Sequence, residues 1–371
     1  MSISYYKNQL ITNLADSTKI NYKAYYHNNI LFGADAETGD TPTDYSEQYL
    51  TLIAKTNGTF VFSGSSTTNV ISYSTDDGST WSSPTQVITV NVNSGDTVLW
   101  KGEMTPTNNG VGTYSASTAS FDAQGNIMSL LYGDSFKNQT SLSGKDYTFY
   151  YLFSQTKLVN AANVELPATT LANYCYSHMF RGCTSLTTAP QLLATTLANY
   201  CYNHMFRGCT SLTTAPQLLA TTLADYCYSN MFRGCTSLTQ APSILPATTL
   251  TNGCYNSMFD NCISLTIAPQ LPATTLANNC YQYMFYGCTS LTTAPVLSAS
   301  TLASYCYAYM FKGCTNLNSI TMLATTIYSD SYLSNWVQDV ASTGTFVKAA
   351  TMTSLPSGNN GIPVGWTVQN A

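Results

Sequence analysis

The sequence predicts a mainly β protein with short helical turns (α+β), in which an antiparallel β-sandwich precedes a solenoid of repeats with a cap at each end. The first observation is a near-copy: NYCYSHMFRGCTSLTTAP at 173–190 returns 26 residues later as NYCYNHMFRGCTSLTTAP, and four looser copies follow. Self-similarity at about 20–50 residues is typical of solenoids. The second observation is a series of segments in which apolar and polar residues alternate, such as GTFVFSG and QVITVNV. These segments come before the repeats and are separated by turn motifs such as DDGS and NSGD. They predict antiparallel strands.

These patterns divide the chain into four predicted parts. Residues 1–47 form an N-terminal attachment segment and linker, and 48–144 form the sandwich. Residues 145–327 form the solenoid, whose degenerate first repeat lacks cysteine and caps six cysteine-containing repeats of about 26 residues. Residues 328–371 form a C-terminal β cap, which an open solenoid end requires.

Within each repeat, the sequence predicts one short helix or helical turn followed by one short strand. The helical part is ANYCYSHMF, and the strand is LTTAP, which ends at Pro190. Gly182 is expected to take a positive φ between them.

Composition narrows the classes of partner. Only 8% of the residues are charged, against roughly 25% in an average soluble protein, and the net charge is -5. Nucleic acid and anionic membranes are therefore disfavoured as partners. No apolar run reaches the roughly 20 residues of a membrane span, so no membrane insertion is expected. The first residues have neither a basic nor an apolar stretch typical of a signal peptide, which favours a protein made in the cytoplasm.

The twelve cysteines form two columns, eight residues apart in every repeat. Buried, unpaired thiols are favoured because small apolar side chains fit interior columns. A Cys175–Cys183 type bridge within each repeat stays open, because the even count and fixed spacing permit it. Zinc is disfavoured: there is no Cys-x-x-Cys motif, and His178 and His204 have no counterparts in the other repeats.

No catalytic, cofactor-binding or metal-ligating residues are predicted, and no cofactor is expected. The chain has three histidines and no Ser/His/Asp arrangement, carboxylate pair or phosphate loop. STDDGSTW at 74–81 resembles the Asp-box hairpin of sialidases, with Ser74, Asp76, Gly78 and Trp81 on its pattern. A sialidase carries several such boxes. One box indicates a turn that Asp76 caps and in which Gly78 takes positive φ.

Positions that vary between repeats are the candidate recognition surface, because the invariant ones are needed for the fold. Tyrosine and arginine are typical of recognition surfaces, and aromatic faces suit sugar rings. The alternative is that these positions are ordinary solvated surface. The candidates are Arg181, Arg207, Arg233, Tyr174, Tyr200, Tyr226, Tyr283, Tyr286 and Tyr309.

Phe180, Cys183 and Leu186 form a Phe-x-x-Cys-x-x-Leu pattern followed by a short strand, a proline and a threonine-rich segment. This pattern resembles the BspA-like class of leucine-rich repeats over roughly 145–327. The second cysteine, Cys175, and the TTLANYCY segment resemble variants from gut Bacteroides and their crAss-like phages. The opening segment resembles those that begin phage tail-associated proteins.

The resemblance implies a non-enzymatic receptor-binding protein of a phage or phage-like particle. Its N-terminal segment would bind virion or tail proteins, and its solenoid would recognise a glycan or protein on the host surface. The expected location is the virion, and a homo-oligomer is left open. One alternative is a BspA-like adhesin on the bacterial cell surface. The other is a glycan-acting enzyme, which the single Asp-box-like turn supports only weakly.

Overall fold

A computed structural model describes residues 22–27, 30–36, 44–66, 70–83, 87–352 and 355–371, with the backbone alone given for 22–36. The chain forms two compact units that divide after Asp44. In the first unit, β1 (Tyr22–His27) and β2 (Ile30–Ala36) pair antiparallel. The rest of the predicted attachment segment before Asp44 lies outside the described residues.

The second unit, Tyr45–Ala371, begins with two β-sheets. Their strands are β3 (Leu50–Ala54), β4 (Gly58–Gly64), β5 (Val70–Ser74), β6 (Val87–Val92), β7 (Thr97–Glu103), β8 (Gly112–Thr113), β9 (Phe121–Asn126) and β10 (Leu158–Glu165). One sheet has the order β10-β9-β3-β7-β5, and the other has the order β6-β4-β8. The short helix α1 (Ser129–Tyr132) and 3-10 turns at Tyr45–Glu47, Gly133–Ser135 and Asp330–Leu333 complete the helical content of the described residues.

Aromatic side chains join the two sheets. The ring of Phe60 on β4 lies 5.4 Å from that of Phe121 on β9, and Phe62 lies 6.2 Å from Trp100 on β7. All four are fully buried. Strand β6 alternates exposed and buried residues, as expected of a strand with one face in the core.

One strand pair departs from the antiparallel expectation. Strand β10 pairs parallel with β9, and it lies beyond the predicted sandwich range. On its other side, Asn160 forms a parallel bridge to Thr188 of the following repeat. Successive repeats cross the same face in the same direction, so a strand of the first repeat is parallel to its neighbours. The larger sheet and the repeats therefore share β10.

Each repeat contains a ladder of overlapping turns in place of the predicted helix or helical turn. The N–H of Ser177 donates to the carbonyl of Tyr174, three residues earlier. The N–H of Tyr176, between them, donates instead to Cys201 in the next repeat, at 3.0 Å. In a helix all interior N–H groups bond within the helix, whereas here alternate groups join one repeat to the next. We call the resulting series of repeats the stack.

The LTTAP segments form parallel pairs, but each is shorter than the predicted strand. Thr214 bridges Gln240, and Gln240 bridges Ile267, as isolated pairs. The proline that follows has no N–H to donate, which limits the pairing. A longer strand appears at β11 (Ser319–Met322), which pairs in parallel with β12 (Thr345–Lys348); β12 in turn pairs with β13 (Thr367–Asn370).

Two aromatic columns fill the interior of the stack. Phe180 stacks on Phe206 at 5.4 Å, and Tyr176 stacks on Tyr202 at 5.7 Å, with rings nearly parallel. Tyr176 and its equivalents, which are tyrosine in all six cysteine-containing repeats, are buried, as expected of invariant positions that the fold needs. Trp336 lies 6.1 Å from Phe311 and extends this core toward the C-terminal strands. No helix in the described parts of the chain has both the length and the apolar character needed to cross a bilayer.

Candidate recognition surface

All twelve cysteines are buried free thiols, as predicted, so the alternative of a bridge within each repeat is not realised. The thiol of Cys209 donates to the carbonyl of Phe180 in the preceding repeat, at 3.1 Å, and Cys235 does the same to Phe206. Burial raises the pKa of the Cys201 thiol to about 12. A buried thiol that is protonated at neutral pH is a packing group and not a nucleophile.

Two of the variable columns occupy strained backbone positions on the outer side of the turn ladder. Tyr174 has φ 56° and His178 has φ 59°, and Gly182 completes the series at 71°, as predicted. Their equivalents in every other cysteine-containing repeat also have positive φ. Non-glycine residues adopt this region at a cost in free energy. The backbone conformation at these positions is therefore kept in every repeat, although the residue type varies.

The tyrosine row consists of Tyr147, Tyr174, Tyr200 and Tyr226, and its rings stack face to face. Centroids of successive rings are 4.6, 4.7 and 5.0 Å apart, with interplanar angles of 2–3°. The row ends at Gly253, where any Cβ would collide with the Tyr226 ring. Stacking covers the ring faces that a sugar would need, so this row presents edges and hydroxyls instead.

Next to it, the histidine row also stacks. Tyr151, His178 and His204 follow one another at 4.5 and 4.6 Å. Burial lowers the pKa of His178 to about 4, and the charges of Arg181 and Arg207 add to this effect. Burial lowers the pKa of His204 to about 3, with further contributions from His178 and the arginines. Both rings are neutral at physiological pH.

The hydrogen-bond network fixes which ring nitrogen carries the proton. The hydroxyl of Ser177 donates its one hydrogen to the carbonyl of Asn203, so Nδ1 of His178 must donate to that hydroxyl, at 2.9 Å. The amide nitrogen of Asn203 donates to the Ser229 carbonyl, so its oxygen accepts from Nδ1 of His204, at 2.6 Å. Each histidine therefore leaves Nε2 as a bare acceptor.

The arginine row, Arg181, Arg207 and Arg233, lies beside the histidine row. Arg181 donates from Nη1 to the Tyr151 hydroxyl at 3.3 Å. Arg233 forms an ion pair with Asp260 of the next repeat, with Nε 3.1 Å from Oδ2. The guanidinium of Arg207 has no hydrogen bond or ion pair within the described part of the chain. We call Arg181, Arg207, His178 and His204 the arginine–histidine patch.

The remaining candidates form a separate group near the last repeats. Tyr283 stacks on Tyr309 at 4.6 Å, and Tyr286 lies 5.9 Å from Tyr283. The ammonium of Lys312 lies over the Tyr309 ring at 5.8 Å. Within the ranges that the structure describes, no hydrogen bond, ion pair or cation–π contact joins these tyrosines or the tyrosine row to the arginine row. The tyrosines of the last repeats thus form a separate group, whereas the ring of Tyr150 lies 5.5 Å from Tyr147 and 5.4 Å from His178 and places the tyrosine row next to the histidine row.

A supporting ladder that the sequence prediction missed runs beside the tyrosine row. The side-chain oxygen of Asn173 accepts from the N–H of Asn199, and that of Asn199 accepts from Asp225, each at 3.1 Å. Asp225 accepts from Asn252 in the same way, at 3.0 Å. The recurrence of Asn or Asp just before the variable tyrosine position could have indicated this ladder.

The Asp-box-like hairpin has the structure predicted for it. One carboxylate oxygen of Asp76 accepts from the hydroxyl of Ser74, at 2.7 Å, and from the N–H of Thr80, at 2.9 Å. The hydroxyl of Thr80 donates to the other carboxylate oxygen at 2.6 Å, and this bond first of all, followed by that from Ser74, lowers the pKa of Asp76 to about 2. Gly78 has φ 85°. Asp76 is therefore engaged in holding its own turn.

No cluster of three or more potential metal ligands occurs among the residues that the structure describes. A comparison with curated proteins finds no match. The family model described as "BspA type Leucine rich repeat region (6 copies)" matches residues 131–266 and 224–335. Together these ranges cover more than half of the chain and include all six cysteine-containing repeats. The chain belongs to the BspA-type leucine-rich repeat family.

Proposed function

We propose that this chain is a non-enzymatic receptor-binding protein of a phage or phage-like particle that infects gut Bacteroidales. The stack recognises a glycan or protein on the host surface, and the N-terminal segment binds virion or tail proteins. Membership of the BspA-type family is consistent with adhesion or binding at a surface. The virion assignment is more specific than family membership. It rests on the resemblance of the TTLANYCY segment and of the opening segment to phage proteins.

The observation that carries the binding role is an uncompensated cation on a stack that is otherwise poor in charge. Between residues 166 and 320 there are four basic and two acidic side chains, although the whole chain is net negative. One of the two acids, Asp260, is already paired with Arg233. The charge of Asp260 also acts on Arg207, but the Arg207 guanidinium forms no ion pair with it within the described residues and is therefore available to a partner.

Adsorption of the particle to its host tests this proposal. Purified chain added in excess to host cells should occupy the receptor and reduce phage adsorption, and mass spectrometry of purified particles should detect the chain. Phage adsorption that is unchanged at a saturating concentration of the purified chain would contradict the receptor-binding role. Detection of the chain on uninfected bacteria, and not in particles, would favour the alternative of a cell-surface adhesin.

A glycan-acting enzyme is the other alternative. The engagement of Asp76 with Ser74 and Thr80 supports a structural role for the hairpin. No turnover of sialosides is therefore expected. Turnover that disappears in a folded Asp76→Ala variant would overturn the non-enzymatic assignment.

A further inference from the structure

The arginine–histidine patch offers hydrogen-bond donors and acceptors side by side. We propose that it binds a polysaccharide that carries uronic acids: each sugar carboxylate accepts from a guanidinium, and a neighbouring sugar hydroxyl donates to a histidine Nε2. This inference rests on the proposed function and names the chemical class of its receptor.

The acceptors are the two Nε2 atoms. Neither has a hydrogen-bond partner within the described residues, and both histidine side chains are partly exposed. The parallel stacking of His178 on His204, at 4.6 Å, places the two acceptors about one repeat apart. Because each Nδ1 already donates within the protein, a ligand can meet these rings only by donating to Nε2.

The donors lie close to these acceptors. Arg207 and His204 belong to the same turn, since the N–H of Arg207 donates to the His204 carbonyl at 3.1 Å. Arg181 contacts Tyr151, whose ring covers one face of His178. A guanidinium without a partner can bind a carboxylate through two parallel hydrogen bonds.

The pairing of donors with bare acceptors distinguishes between two kinds of acidic ligand. An ionised aspartate or glutamate side chain only accepts hydrogen bonds, so an acidic peptide would leave Nε2 without a side-chain donor. A uronic acid has a carboxylate and hydroxyl donors in the same residue. A polymer of uronic acids repeats the carboxylate and the hydroxyl donors along its length, just as the stack repeats arginine and histidine. The polysaccharide is therefore favoured over an acidic protein loop.

Calorimetric titration of the full chain tests the inference with polygalacturonate, poly-glutamate and neutral dextran. We expect binding to polygalacturonate, much weaker binding to poly-glutamate and none to dextran. Arg207→Gln should weaken polygalacturonate binding at least about tenfold, as expected for one charge-assisted pair. Lys312→Gln is the matched control, since it removes one positive charge from the last repeat of the same column, and it should change affinity less than about twofold.

His204→Phe removes the Nε2 acceptor, together with the internal bond from Nδ1 to Asn203, and keeps an aromatic ring where tyrosines occupy the same column in other repeats. It should weaken polygalacturonate binding about three- to tenfold and leave poly-glutamate binding unchanged. A thermal melt confirms that each variant is folded. Equal binding of both polyanions, or an unaltered His204→Phe variant, would overturn the inference. If polygalacturonate does not bind while the chain still blocks phage adsorption, this inference is wrong and the proposed function stands.

Discussion

The Nε atom of Arg233 lies 3.1 Å from a carboxylate oxygen of Asp260, whose side chain is 5% exposed. Burial raises the pKa of Asp260, although the charge of Arg233 acts in the opposite direction. The pair therefore matters mainly to Asp260, which would otherwise be a buried carboxylate without a cation. The third arginine of the row is already neutralised within the protein, so the three arginines are not equivalent.

We expect Arg233→Ser to lower the free energy of unfolding by about 1–3 kcal/mol, because it leaves the buried Asp260 carboxylate without its ion pair and with the Asn261 amide as its remaining side-chain partner. Arg207→Ser is the control. It removes an arginine with no internal partner and should change stability by less than about 0.5 kcal/mol. Urea unfolding of the two variants measures the difference. Equal stability would contradict the distinction drawn within the row.

Tyr255 offers a stabilising substitution. Its hydroxyl is buried and has no hydrogen-bond partner, whereas the first repeat has Phe149 in the same column. We expect Tyr255→Phe to raise the free energy of unfolding by about 1 kcal/mol, because a polar group that is buried without a bond is removed. Tyr176→Phe, which removes a second hydroxyl that is buried without a partner, should show the same gain. A loss of stability in Tyr255→Phe would show that its hydroxyl is satisfied.

The cysteine columns should be protected from thiol reagents in the folded chain. Burial both blocks access and raises the thiol pKa, and only the thiolate reacts readily. We expect Ellman's reagent at mildly alkaline pH to label few thiols natively and all twelve in denaturant. Rapid native labelling of most of them would contradict interior packing. Fewer than twelve reactive thiols in denaturant without reductant would instead reveal bridges.

The histidine row predicts a loss of stability in mild acid. Burial lowers the pKa of His178 to about 4 and of His204 to about 3, against roughly 6.5 in an unfolded chain. Between these values the unfolded chain binds protons that the folded chain does not. The two histidines therefore leave the free energy of unfolding unaffected above about pH 6.5 and lower it progressively as the pH falls toward 4.

Melting temperatures of the parent and of a His178→Phe/His204→Phe variant, measured from pH 7 to pH 4.5, test this linkage. The neighbouring charges that add to the lowering of the His204 pKa belong to Arg181, Arg207 and Arg233, which both proteins share. The variant should lose less stability over this range than the parent. The same fall in both proteins would mean that the histidines titrate normally.

The repeat period and the interior residues could be predicted from the sequence because each repeat copies them. Phe180, Cys183 and Leu186 recur at fixed spacing, and all three are fully buried. The helix prediction for ANYCYSHMF was wrong, because apolar spacing alone cannot show that alternate N–H groups bond the next repeat. Positive φ at Tyr174 and His178 could not be predicted either, since tyrosine and histidine seldom adopt it.

The candidate site was predicted only as a set of varying positions. Their stacking depends on neighbours 26 residues away, so the covered faces of the tyrosine row were not apparent from one repeat. The pairing of Arg233 with Asp260 depends on a difference between two adjacent repeats. The charge at Arg207, by contrast, was already visible in a sequence that has few charged residues.

Attachment of charge-matched variants to host cells tests most directly whether the stack surface is the recognition surface. Arg181→Gln/Arg207→Gln removes two cations from the arginine–histidine patch, and Lys145→Gln/Lys312→Gln removes two cations elsewhere in the repeats. Binding of the labelled parent should weaken as salt rises from about 50 to about 300 mM, because solvent-exposed charges are screened. We expect the arginine variant to bind at least about tenfold more weakly and with less dependence on salt, while the lysine variant follows the parent. If the arginine variant binds as the parent does, the stack surface at this patch is not what recognises the host.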